Sequence, residues 1–78
     1  MEYSICNETL VLYALRNKET QHYLGWDTVN GEYRETTLSN CELLSALHTA
    51  ERIRHEQKHP DKFEVRKMKI IDIGEAQC

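Results

Sequence analysis

Apolar residues recur along this chain in two rhythms, one of strands and one of a helix. Residues 10–15, Leu-Val-Leu-Tyr-Ala-Leu, form a continuous apolar run of strand length, as expected of an inner strand covered by a helix on one face and partly shielded on the other. The polar run Asn17-Lys18-Glu19-Thr20 closes it as a turn. Residues 22–27 follow as a partner strand, with Tyr23 and Trp26 as its large side chains. Gly25 in its middle marks a bulge or the close approach of a bulky neighbour. Asn30-Gly31 is the strongest hairpin signal in the chain, with Val29 and Glu32 expected at the strand ends. Residues 32–38 then make a third strand, with Tyr33, Glu35 and Thr37 on one face and Arg34 and Thr36 on the other. Its polarity places it at a sheet edge.

The helical rhythm takes over in residues 36–59. Steps of 100° gather Leu43, Leu47 and Ala50 at the centre of one face, flanked by Leu44, Ala46 and Ile53. Ser39 and Glu42 have the spacing of a capping box, and Leu38 and Leu43 that of a hydrophobic staple. Pro60 pushes His59 out of helical geometry and ends the element. Residues 63–73 return to strand pattern, with Phe63 and Val65 on one parity, Met68 and Ile70 on the other, and Ile71 and Ile73 back on the first. That change of phase predicts a bulge near Lys67 or a bend.

The order of elements, βββαβ, defines an α+β fold: a three-stranded antiparallel meander, one helix packed on one sheet face, then a final strand. The final strand is expected beside the first, since these two carry the most continuous apolar runs. Alternating directions would make the two parallel. Residues 1–78 form a single domain; residues 1–9 read as a loose arm or a short edge strand, and residues 74–78 as a frayed tail. A chain of this size buries only about 60–65% of its unfolded surface, which leaves one small core and no deep internal pocket.

Charge narrows the functional classes. The net charge is -3, with three bases against seven acids in residues 1–50 and seven bases against six acids beyond them. That balance argues against general nucleic-acid binding. No stretch reaches the roughly 18 apolar residues of a membrane span, and the first residues lack the basic flank of a secretory leader. Cys6, Cys41 and Cys78 are odd in number and widely spaced, as free thiols in a reducing cytoplasm would be.

Four groups of residues could carry chemistry. His55-Glu56-Gln57-Lys58-His59 is a literal H-E-x-x-H, the string with which zinc proteases hold a metal and activate water. Here both histidines point away from the core face, Pro60 follows directly, and Arg52, Arg54, Lys58 and Lys62 surround the pair. The string therefore reads as a solvated helix end, with no metal, no cofactor and no catalytic residue assigned. A zinc-dependent hydrolase through His55, Glu56 and His59 is an alternative. Cys41, His48, His55 and His59 share the outer side of the expected helix, but a seven-residue step of about 10.5 Å keeps Cys41, His48 and His55 from sharing one ion.

Tyr13, Tyr23, Trp26 and Tyr33 lie on three adjacent strands. They read as cross-strand packing or, on a sheet face without a second helix, as anchors for a protein partner. Such a face also allows a homodimer. Lys58, Lys62, Arg66, Lys67 and Lys69 form a local basic group diluted by Asp61, Glu64 and Asp72. It reads as a solvated face, with a nucleic-acid-associated protein as the alternative function.

Tyr13-Ala14-Leu15-Arg16-Asn17-Lys18-Glu19-Thr20, followed by Tyr23-Leu24-Gly25, resembles the opening hairpin of small phage and prophage proteins. In those an apolar strand ends in an Asn-Lys-x-Thr turn and a second strand brings an aromatic residue. Gln21 stands where a glycine is usual after the threonine. The resemblance spans residues 10–73 and implies a phage-type accessory protein, anti-CRISPR-like in kind, acting in a bacterial cytoplasm. It implies a non-enzymatic module that binds and blocks a host enzyme or defence complex, and it assigns no catalytic residue.

Overall fold

The computed structural model describes residues 9–72 and 74–75. The expected N-terminal arm therefore lies outside the described residues, except Thr9, and most of the expected tail does too. The elements are β1 (Thr9–Asn17), β2 (Tyr23–Asp27), β3 (Glu32–Thr36), α1 (Leu47–His55) and β4 (Phe63–Ile71), with short 3-10 turns at Leu38–Asn40 and Pro60–Lys62. The four strands form one antiparallel sheet in the order β3-β2-β1-β4, which with α1 makes an α+β fold. As the apolar runs predict, β1 is an inner strand with β4 beside it, and the polar β3 is an edge.

β4 runs antiparallel to β1, not parallel. The reason is the connection: the segment after β3 doubles back through the sheet before the helix, so direction does not simply alternate. Pairing of β1 with β4 is unbroken from Thr9 opposite Ile71 to Asn17 opposite Phe63. There is no bulge at Lys67. Both parities of β4 carry apolar residues because its two faces meet different surroundings, with α1 on one side only.

The helix is much shorter than its pattern suggests. Residues 41–46 are not helical, and the capping box at Ser39 and Glu42 does not form. Instead β1 and β2 pair at Arg16 and Tyr23 and then diverge. The segment after the first 3-10 turn fills the gap. Glu42 N–H donates to the Leu24 carbonyl at 3.1 Å, and Tyr13 and Leu44 exchange two backbone hydrogen bonds of 2.7 Å each. Buried backbone groups need partners, and these bonds outweigh the local helical preference of Cys41-Glu42-Leu43-Leu44. The Ser39 hydroxyl bonds Thr37, and the Glu42 carboxylate accepts from the Tyr33 hydroxyl at 2.8 Å. The expected staple is absent as well, since Leu38 and Leu43 are both exposed.

Ala50 and Ile53 are the residues α1 buries. Ile53 joins Leu15 and Leu24 in the core, with Tyr33, Leu44, Phe63 and Val65 packed around them. Leu47, expected at the centre of the buried face, is 46% exposed. At its other end α1 stops at His55, five residues before Pro60. The Gln57 side chain bonds the Ile53 carbonyl at 3.0 Å and Arg54 bonds the Pro60 carbonyl at 3.1 Å. These bonds satisfy orphan carbonyls at the helix end and just beyond it.

The turns are held by side chains. Buried Asn17 accepts from the amides of Glu19 and Thr20 and donates to Glu35 at 3.0 Å. Thr20 also bonds Glu35, at 2.7 Å, so the β1–β2 turn is tied to β3. Between β2 and β3 the loop is longer than the Asn30-Gly31 signal predicts. Asp27 and Glu32 are the closing pair, Gly31 has φ 64°, and the Asp27 carboxylate accepts from Val29 N–H, Asn30 N–H and the Asn30 amide. Those bonds, the Asn30 side chain first, hold the Asp27 carboxyl below its usual range.

Candidate functional site

Alternation along each strand sorts the side chains onto two faces. Leu15 and Leu24 meet α1 in the core, so Tyr13, Trp26, Tyr33 and Glu35 share their face by register. Arg16 lies opposite both Tyr23 and Glu64 and belongs to the other face, with Leu10, Leu12, Ala14, Met68 and Ile70. The four aromatic candidates are thus divided: Tyr13, Trp26 and Tyr33 on the helix face, Tyr23 on the face opposite.

On the helix face Trp26 and Tyr33 form an edge-to-face pair with ring centroids 4.9 Å apart. Trp26 is 48% exposed, beyond the reach of the short helix. Tyr33 is drawn further in. Burial first, then its hydrogen bond to Glu42, pushes its phenol up to about 12. On the opposite face the Arg16 guanidinium lies 6.0 Å from the Tyr23 ring centroid and bonds Glu64 at 2.6 and 2.9 Å. That ion pair holds the Glu64 carboxyl below its usual range.

The face opposite the helix carries an apolar strip that periodicity did not single out. Register places Leu10 opposite Ile70 and Leu12 opposite Met68. Leu10 is 56% exposed and Ile70 44% exposed, and no described element covers them. At the end of the β1–β4 ribbon a shallow cleft of about 300 Å³ is lined by Thr9, Leu10, Ile70, Ile71 and Asp72. The signal was present in the apolar residues on both parities of Phe63–Ile71, which reflect two apolar faces and not a bulge.

The H-E-x-x-H string does not form a single helical face. His55 is the last residue of α1, while His59 has φ -130° and ψ 78° and precedes the second 3-10 turn. The one-turn spacing that two ligands need is lost. Cys41 is not on the helix either. Its thiol donates to the Leu38 carbonyl, and burial pushes its pKa up, away from thiolate reactivity. Among the described residues no three His, Cys, Asp or Glu side chains gather as metal ligands would, and no helix is long and apolar enough to cross a membrane.

His59 does line a cleft of about 340 Å³ between the end of α1 and the sheet, together with Lys58, Lys62, Tyr33 and Glu35. Glu35 is already engaged by Asn17 and Thr20. No hydrogen bond among the described residues joins His59 to it, so the cleft presents no paired nucleophile and base. The basic group is divided as the aromatics are: Arg66 stands on the apolar-strip face beside Glu64, Lys67 and Lys69 on the helix face.

Compared with protein-family models, with curated proteins and with solved structures, the chain matches none.

Proposed function

We propose that this chain is a non-enzymatic protein-binding module that docks through the sheet face opposite α1. The observation that carries it is the apolar strip in which exposed Leu10 and Ile70 stand beside half-buried Leu12 and Met68, with no described helix over it. Exposed apolar surface of this kind on a small domain marks an interaction site. Tyr23, beneath Arg16 on the same face and beyond the Arg16–Glu64 ion pair, supplies the aromatic anchor that such interfaces favour. Trp26, half exposed on the other face, is the second contact candidate, with Tyr13 and Tyr33 as its neighbours on that face. The hairpin resemblance supports a phage-type role in a bacterial cytoplasm, with a host enzyme or defence complex as the partner inhibited or modulated.

Affinity capture from bacterial lysate, with the native chain and a Leu10→Asp/Ile70→Asp variant as baits, tests this directly. One host protein retained by the native chain and lost with the variant is the expected result. Equal retention by both would overturn the assignment of the face. Sedimentation of the native chain separates a homodimer formed through the same strip from a hetero-complex.

A further inference from the structure

Among the described residues the sheet ends at β4, and none of them pairs with its outer edge. It is a long edge: nine residues, Phe63–Ile71, with unbroken pairing to β1 on the inner side and no proline. An edge strand presents a row of unpaired N–H and C=O groups that template a further strand. Proteins usually blunt such edges with bulges, short length or charge, and here only charge is used, as Arg66, Lys67 and Lys69. Arg66 lies near Glu64. Lys67 and Lys69 make no ion pair with a described residue, and both are exposed.

We propose that the outer edge of β4 captures an extended partner segment in which acidic and apolar residues alternate, added to the sheet as a fifth strand. This rests on the protein-binding reading above and names the chemistry of what is bound. Directly opposed residues in neighbouring strands lie on the same face. A carboxylate opposite Lys67 and another opposite Lys69 would meet unpaired ammonium groups on the helix face. Aliphatic side chains at the intervening positions would lie beside Met68 and Ile70 and widen the apolar strip that Leu10 and Leu12 begin. Main-chain hydrogen bonds would hold the segment, and the alternation would select it. A second copy of β4 fits this edge poorly, because antiparallel self-pairing about Lys67 sets the basic stretches of both copies against each other.

The test uses the full chain and a labelled peptide of about ten residues alternating glutamate and valine, with a lysine–valine peptide as its counterpart. Saturable binding of the Glu/Val peptide is expected, with slowed amide exchange along β4. The Lys/Val peptide, and the Lys67→Glu/Lys69→Glu chain with the Glu/Val peptide, should bind about tenfold more weakly. Methylation of the peptide amides along one edge should abolish binding without altering the protein. Equal affinity for both peptides, or slowed exchange confined to β3, would overturn the proposal. So would lysine-dependent binding of a single-stranded oligonucleotide with no binding of the peptide. Capture from lysate separates the two proposals: host-protein binding lost in Leu10→Asp/Ile70→Asp but intact in Lys67→Glu/Lys69→Glu removes the edge and keeps the face. Binding unchanged in both variants removes both.

Discussion

The carbonyl oxygen of Asn40 sits 2.9 Å from where a β-carbon on Gly25 would be, and the Thr36 methyl is equally close. The chain leaving β3 presses its backbone against β2 at this point before it enters the gap between β2 and β1. A backbone oxygen cannot swing aside as the far end of a long side chain can. Gly25→Ala should therefore cost about 1–3 kcal/mol in urea unfolding, the range for overpacking a close-packed site. An unchanged midpoint would show that the crossing of residues 38–41 is looser than the structure has it.

Gly25 also shows where sequence pattern ends. The glycine signalled a close approach, and a close approach is what it makes, but its neighbour is a backbone fifteen residues away that periodicity cannot see. The sheet was legible because alternation and apolar runs report burial strand by strand. Leu10 to Leu15 announced an inner strand, and the polar third strand announced an edge. The first half of the helix was misleading for a physical reason. Cys41 to Ala46 has helical spacing, yet Leu24 and Tyr13 offer it unpaired backbone groups, and tertiary hydrogen bonds decide the conformation. The candidate surface was half legible. Tyr23, Trp26 and Tyr33 were evident as large residues, but only the register assigns Tyr23 to one face and the others to the second.

Gln21 occupies the left-handed region, with φ 63°. A residue with a β-carbon is strained there by about 1–2 kcal/mol. The turn nonetheless holds it, because Gln21 N–H donates to the Asn17 carbonyl and Asn17 N–H to the His22 carbonyl, both at 2.8 Å. Gln21→Gly should stabilise the fold by about 0.5–1 kcal/mol, the relief of strain being partly offset by the greater freedom of glycine in the unfolded chain. Thermal unfolding of the two proteins checks it, and a lower midpoint for the glycine variant would contradict the turn conformation.

Leu47 and Ile53 separate the two helix faces in one comparison. A helix beginning at Ser39 would bury both, whereas the short α1 buries Ile53 at 5% exposure and leaves Leu47 half exposed. Ile53→Ala removes a side chain packed against Leu15 and Leu24 and should cost about 2–4 kcal/mol. Leu47→Ala should change stability by less than about 1 kcal/mol. Comparable losses at the two positions would restore the longer helix.

Tyr33 ties β3 to the inserted segment, since its hydroxyl donates to Glu42 at 2.8 Å while the Glu42 amide is bonded to the Leu24 carbonyl. Burial, then the bond to Glu42, raises the phenol's folded value to about 12, above the ordinary value of about 10. The neutral phenol is the form the fold prefers. Its contribution is therefore full below about pH 10 and is lost as the pH rises through about 12. Ultraviolet titration of the native chain should show an ionisation step near pH 12 that Tyr33→Phe removes. At neutral pH the same variant should be less stable by about 1 kcal/mol, the worth of one hydrogen bond. That difference should shrink toward zero as the pH climbs through the step, because the native chain then loses what the variant already lacks. A stability difference that stays constant across this range would mean that the Tyr33–Glu42 bond does not hold the inserted segment in place.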